Sequence, residues 1–162
     1  MKRRKKRALS TSLEDYLEAI YVLEQKARVV RVKDISKMLE VSMPSVHQAL
    51  HILMESGLVN HEHYGDVELT AKGRNAGREI YNRHTMLTKF FDEVLGVPRE
   101  IAEGDACRIE HNISQETLDR LVAFIDFAEF YFQPRGLNWT KKFKQFFKRG
   151  KKVEKRMIQH RK

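Results

Sequence analysis

The spacing of apolar residues changes along the chain and marks out its elements. Leu13, Tyr16, Leu17, Ile20 and Tyr21 recur at i, i+3, i+4, i+7 and i+8, which predicts an amphipathic helix over about 12–26. Thr11 and Glu14 have the spacing of a capping box at its start. VKDISKMLEV, 32–41, predicts a short helix burying Ile35, Met38 and Leu39. Ser42-Met43 then turns the chain into PSVHQALHILMESG, with Pro44 at a first helical position and Gly57 past the end. Val46, Leu50, Leu53 and Met54 form the inner stripe of that helix. After Gly57 the period drops to two, and LVNHEH and DVELT flank Tyr64-Gly65 as the strands of a small hairpin.

Three helices, the last two in close succession, followed by a hairpin are the order of a winged helix-turn-helix. In that arrangement the second helix of the pair enters the major groove of DNA. Beyond the hairpin, Thr70 caps a long helix running to about Leu95, with Ala76, Ile80, Leu87, Phe91 and Val94 on one face and Gly96 ending it. Pro98 opens another helix. Ser114, Thr117 and Leu118 begin a further one, whose inner face includes Leu118, Leu121, Val122, Ile125 and Ala128. Phe124, Phe127, Phe130, Tyr131 and Phe132 make that helix apolar beyond one face, which predicts a self-association surface. Gln133-Pro134-Arg135-Gly136 marks a boundary, and Trp139, Phe143, Phe146 and Phe147 line one side of a short basic helix after it. The expected fold is mainly α. A basic arm (1–10) precedes a winged-helix DNA-binding domain (11–72) of three helices and a two-stranded wing. An all-α metal-binding and dimerisation domain (73–133) and a basic aromatic tail (134–162) follow.

Charge alters this picture only after it is divided. The chain of 162 residues carries a formal net charge of +9. Residues 2–7 are all Lys or Arg, and 141–162 hold eleven more against the single acid Glu154. Residues 8–140 keep 14 basic and 21 acidic side chains and are therefore net acidic. The basic tails attract nucleic acid or anionic lipid without sequence preference, so any reading of DNA by the folded part rests on pattern. No apolar h-region follows the basic start, and no run of about 18 apolar residues predicts insertion into a membrane. One cysteine cannot form an intrachain disulfide, and a reducing, cytoplasmic setting is the expectation.

The candidate chemistry centres on DACRIEH, 105–111. Cys107, Glu110 and His111 share one helical face beside the stripe Ala102, Ala106, Ile109 and Ile113. They are either a packed thiol next to an exposed pair or the edge of a metal site. His84 interrupts the apolar stripe of the long helix, as a satisfied core histidine or as a ligand. Asp15 and Glu18 flank the stripe of the first helix, where acids commonly offset the helix dipole. Together the six offer N, O and S donors to a borderline divalent ion. Catalytic Cys-His chemistry needs a placed base and an activated thiolate, and nothing in the chain signals an oxyanion pocket, so an enzyme is not expected. His47 and His51, at i and i+4, and His61 and His63, on one strand face, have spacing that zinc tolerates. On a DNA-facing helix, contact with the groove or phosphate is the preferred reading for them.

SLEDYLEAIYVLE, VSMPSVHQALHILMESGLV, LTAKGRNAG and DACRIEH, in this order over about 11–132, resemble the diphtheria toxin repressor and manganese transport regulator family. The resemblance implies a homodimeric repressor of metal-uptake genes that binds operator DNA, with Fe(II) or Mn(II) as corepressor held between a winged helix and a dimerisation domain. By it, Asp15, Glu18, His84, Glu110 and His111 stand at ligand positions of the manganese branch. Cys107 stands where that branch has glutamate and resembles the iron branch, which has methionine at the position of Asp15. Glu103 and Thr88 replace two ligands of the iron branch's ancillary site. Ser42, Pro44, Ser45 and Gln48 match the family's DNA contacts, and His47 lies among them. The SH3-like domain of longer members has no counterpart in the residues after Gly136. The thiolate donor leans towards iron(II), with manganese(II) second. The alternative is a metal-independent winged-helix regulator sensing oxidants through Cys107. A chromatin-like DNA binder relying on its basic tails is a further one.

Overall fold

The computed structural model describes residues 9–27, 29–61, 65–132 and 139–159. The basic run at 2–7, His63 and Tyr64 at the expected hairpin tip, the boundary at 133–136 and the end of the tail lie outside them. The chain divides into two compact units between Asn82 and Arg83.

In the first unit, α1 (Thr11–Lys26), α2 (Val32–Leu39) and α3 (Met43–Glu55) precede strands β1 (Val59–His61) and β2 (Val67–Leu69). The start of α1 differs from the sequence expectation. Ser10, not Thr11, is the N-cap, and its hydroxyl accepts from Leu13 N at 3.4 Å. Thr11 is already helical, so it has no capping geometry to offer. The turn from α2 to α3 uses Glu40 in a left-handed conformation (φ 55°), and Ser36 Oγ donates to the Val41 carbonyl at 2.6 Å. Ser42 caps α3, accepting from Ser45 N at 3.3 Å, and Pro44 follows as the second helical residue. After α3, Gly57 (φ 68°) takes the left-handed position and donates to Met54 O, while Leu58 N reaches back to Leu53 O, both at 2.9 Å. That pair satisfies the helix's last carbonyls in a Schellman motif.

Leu17, Ile20, Ile35, Val46, Leu50 and Leu53 are fully buried in one core closed by Val59, Val67 and Leu69 of the hairpin. Met38 and Met54, expected inside, are each 41% exposed. On α3 the buried positions are Val46, Ala49, Leu50 and Leu53, so Ala49 and not Met54 belongs to the inner stripe. The strands pair antiparallel, Val59 with Leu69 and His61 with Val67, and Val67 N donates to Val30 O at 2.8 Å. Glu24 of α1 fastens this hairpin. Its Oε1 accepts from Leu69 N at 2.7 Å, and its Oε2 accepts from both Nε and NH2 of Arg74 at 3.1 and 3.0 Å.

Helix α4 (Ala71–Lys89) begins as expected at Thr70, whose Oγ1 accepts from Gly73 N at 3.0 Å. Gly73 has no room for a side chain, since a Cβ there would fall on the Leu58 carbonyl. Gly73→Ala is therefore expected to destabilise the protein by about 1–3 kcal/mol through overpacking against backbone. In Gly104→Ala the new methyl meets nothing nearer than Arg108 NH1 at 3.9 Å, so the gain in helix propensity is expected to stabilise by about 0.5–1 kcal/mol. Urea denaturation midpoints of the two variants check the opposite signs.

In the second unit α4 runs on into a π-helical segment, Phe90–Leu95, that the sequence did not announce. Gly96 (φ 74°) ends it, and a Cβ there would meet the side chain of Lys144 at 3.0 Å. Helices α5 (Arg99–Glu110), α6 (Gln115–Phe132) and α7 (Trp139–Gln159) follow. Leu87, Ala106 and Leu118 form the buried centre, with Met86, Phe91, Ile113 and Leu121 packed on it. Ser114 Oγ caps α6, accepting from Thr117 N at 3.2 Å. Leu118 and Ala128 of α6 are buried as expected, whereas Val122 is 37% exposed. Helix α7 is longer than the short segment expected from Trp139 and its phenylalanines. Trp139 meets Phe124 edge to face, with ring centres 6.2 Å apart.

Candidate metal centre

In the second unit the inner stripe of α5 runs Ala102, Ala106, Glu110, each fully buried. The expected stripe turned in at Ile109 instead, but Ile109 is 39% exposed and the carboxylate takes the inward position. Two imidazoles flank it. Nδ1 of His84, from α4, lies 2.9 Å from Glu110 Oε2 in hydrogen-bonding geometry. His111, the C-cap of α5, keeps only 2% of its side chain exposed and places Nε2 3.2 Å from Glu110 Oε1. That second approach lacks the alignment of a hydrogen bond, and Oε1 accepts none among the described residues.

A buried carboxylate oxygen left without a donor costs about 1–3 kcal/mol or more, because water solvated it in the unfolded chain. A carboxylate between two imidazoles, with one acceptor unsatisfied and no bulk water, has the chemistry of a cation site. The donor set of oxygen and two nitrogens fits a borderline divalent ion. Cys107, three residues before Glu110, is exposed on α5. Of the ancillary candidates, Thr88 is 2% exposed with Oγ1 accepting and donating nothing among the described residues, while Glu103 accepts from Arg99 Nε at 2.7 Å. The two are thus in different situations, one enclosed and one on the surface.

Asp15 and Glu18 lie half-buried on α1 of the first unit, at the edge of the stripe that buries Tyr16, Leu17, Ala19 and Ile20. The other candidates of that unit lie on α3. Val46, Ala49, Leu50 and Leu53 hold that helix to the core, and this leaves Ser42, Pro44, His47 and Gln48 exposed on its outer side with Ser45 half-buried. A groove of about 1000 Å³ beside them is also lined by Arg31, Lys33, His51 and His61. Arg31 and Lys33 were not among the sequence candidates. The signal for them is the basic pair in RVK, 31–33, at the start of α2.

Residues 8–67 match the family model described as iron dependent repressor, N-terminal DNA binding domain, and residues 70–139 match iron dependent repressor, metal binding and dimerisation domain. An uncharacterised HTH-type transcriptional regulator of Methanocaldococcus jannaschii is 34% identical over 119 residues, 73% of this chain and 95% of that one. The chain belongs to the iron-dependent repressor family. The HTH-type transcriptional regulator MntR of Shouchella clausii, another relative, is 36% identical over 118 residues, covering 73% of this chain and 82% of its own. A solved manganese-dependent transcriptional repressor, in complex with manganese, superposes with a TM-score of 0.65 at 29% identity. The match covers 71% of this chain and 53% of that one, so the chain spans about half the length of that solved repressor. These relatives are transcriptional regulators rather than enzymes, and family membership favours a metal-dependent regulator over an oxidant sensor. Among the described residues no helix is long and apolar enough to cross a membrane.

Proposed function

We propose that the chain is a cytoplasmic, homodimeric repressor that binds operator DNA when loaded with Fe(II) or Mn(II) and controls metal-uptake genes. The observation that carries this reading is the Glu110 carboxylate, fully buried between His84 and His111, with one oxygen that accepts no hydrogen bond among the described residues. His84, Glu110 and His111 would hold the ion. Asp15, Glu18 and Cys107 complete the ligand set by the family resemblance. The ion supplies positive charge that the buried carboxylate lacks, and so favours one conformation of the chain over others. Ser42, Pro44, Ser45, His47 and Gln48 are the residues proposed to meet DNA, and the exposure of Ser42, Pro44, His47 and Gln48 on the outer side of α3 supports that assignment. Ser42 is also the N-cap of α3, so it contributes to the helix as well as to contact.

Enrichment of duplexes from a random pool by the purified chain tests the switch. With Fe(II) under anaerobic conditions, or with Mn(II), a site of two half-sites spaced by about one helical turn or a multiple is expected to emerge. The same site enriched equally in the presence of a chelator would sink the metal dependence.

Iron(II) is the first choice of metal, because a thiolate donor suits it better than manganese(II). Anaerobic cobalt(II) titration of the intact chain and of Cys107→Ser distinguishes the two. A saturable thiolate-to-cobalt charge-transfer band that the variant loses is expected for an iron-type site. Saturable binding without that band would assign a carboxylate–imidazole site and move the reading to manganese.

A further inference from the structure

We propose that His47, His51 and His61 form a second metal site, for an imidazole-preferring divalent ion such as zinc or nickel, on the outer side of α3. All three belong to the first unit, and the site stands independently of the centre around Glu110. His47 and His51 lie one helical turn apart on the same face of α3, a spacing that lets two imidazoles share one ion. His61 comes from β1, with its ring centre 6.1 Å from that of His47 and the planes tilted by 36°. An ion held at about 2.0–2.1 Å by two imidazole nitrogens sets their ring centres roughly 5–6 Å apart, so a small turn of χ angles closes the pair.

One of these rings already has an outer partner, since His61 Nδ1 lies 3.4 Å from the Asp66 carbonyl oxygen. An acceptor at Nδ1 favours the tautomer with its proton there and leaves Nε2 with a lone pair for metal, which is how neighbouring groups prepare ligating histidines. His51 is largely exposed, at 74% of its side chain, and is free to swing towards the pair. Met43 and Met54 line the same groove and add soft, polarisable surface. Nitrogen donors without a carboxylate ligand favour zinc and nickel over manganese.

Zinc content after equilibrium dialysis tests the site, using the full chain and the double variant His47→Gln/His61→Gln. The wild type is expected to retain one more zinc per chain than the variant, and the single variant His51→Gln is expected to bind that extra zinc about 10-fold more weakly. Equal zinc content in wild type and double variant would overturn the proposal. Histidine-ring NMR signals of the wild-type chain give a second measurement that needs no variant to fold. Zinc is expected to shift the rings of His47, His51 and His61, and a response confined to His84 and His111 would overturn the site.

Discussion

Glu110→Gln is expected to remove the response to metal while leaving the metal-free protein as stable as before or slightly more so. The two signs come from one carboxylate. Glu110 is fully buried, its Oε2 is held by His84 Nδ1 at 2.9 Å, and its Oε1 has no hydrogen-bond donor among the described residues. Glutamine keeps the volume and an acceptor for His84 and removes a buried formal charge, whose desolvation opposes folding. With metal the balance reverses, because an amide is neutral and a far poorer ligand for a divalent ion. Removing even an outer partner of a metal ligand typically lowers affinity 10- to 100-fold, so loss of a direct anionic donor is expected to lower it by about 100-fold or more. An ion at 100 times its Kd stabilises a protein by about 2.7 kcal/mol, which for a chain of this size raises Tm by roughly 5–11 °C. Thermal melts with and without Mn(II) should show that rise in the wild type and nearly none in Glu110→Gln. A variant whose Tm rises as much as the wild type's would remove Glu110 from the ligand set.

That the residue in question is Glu110 was only half visible in the sequence. DACRIEH placed three chemically interesting groups on one helical face, and His84 drew attention because it breaks the apolar stripe of the long helix. The structure brings His84 to Glu110. What the pattern misjudged was phase. From Ala106 a helical stripe continues equally well at i+3, which is Ile109, or at i+4, which is Glu110. Hydrophobicity alone chooses isoleucine, whereas His84 and His111 supply the polar partners that let a carboxylate turn inward. On α3 the same choice arises after Leu50, where Leu53 at i+3 is buried and Met54 at i+4 stays exposed.

Local chemistry with a unique geometric solution was legible. Thr70 as a cap, Ser42 before Pro44, and the left-handed glycines Gly57 and Gly96 all stand where the sequence put them. The π-helical turn at Phe90–Leu95 left no trace, because Leu87 and Val94 satisfy an uninterrupted helical repeat equally well. Glu24 was equally silent. As a charged residue late in an amphipathic helix it reads as solvated, yet it holds Leu69 N and Arg74 across 45 and 50 positions of chain. Long-range polar contacts of this kind are set by tertiary structure, and no periodicity encodes them.

Phe127→Glu combined with Phe130→Glu is expected to convert a dimer into a monomer without loosening the fold of the chain. On α6, Leu118 and Ala128 are buried, while Phe124 is 52%, Phe127 54% and Phe130 74% exposed. Tyr131 links the latter two, with ring centres 4.5 Å from Phe127 and 5.4 Å from Phe130. This places a run of aromatic rings in water on a helix of the region that matches a metal binding and dimerisation domain. Aromatic anchors at the centre of an interface commonly contribute 2 kcal/mol or more each, so two of them correspond to about a 1000-fold weaker association. Two buried carboxylates facing their symmetry mates add repulsion to that loss. Glutamate is a good helix former at exposed positions, so the substitutions should leave α6 intact. Arg120→Glu on the same helix serves as the control. Arg120 pairs with Glu116 at 2.8 Å on the surface, and losing an exposed pair of this type changes stability by only about 0.3–0.5 kcal/mol. Sedimentation at micromolar concentration should show a monomer for the double variant and a dimer for the wild type and the control, with the same helical content by circular dichroism in all three. Because a repressor of two half-sites needs two reading helices held in one assembly, the monomer should also lose operator binding even when its metal centre is filled. A double variant that remains dimeric would show that the aromatic face of α6 is not where the chains meet, and would leave those rings as an exposed surface for another partner.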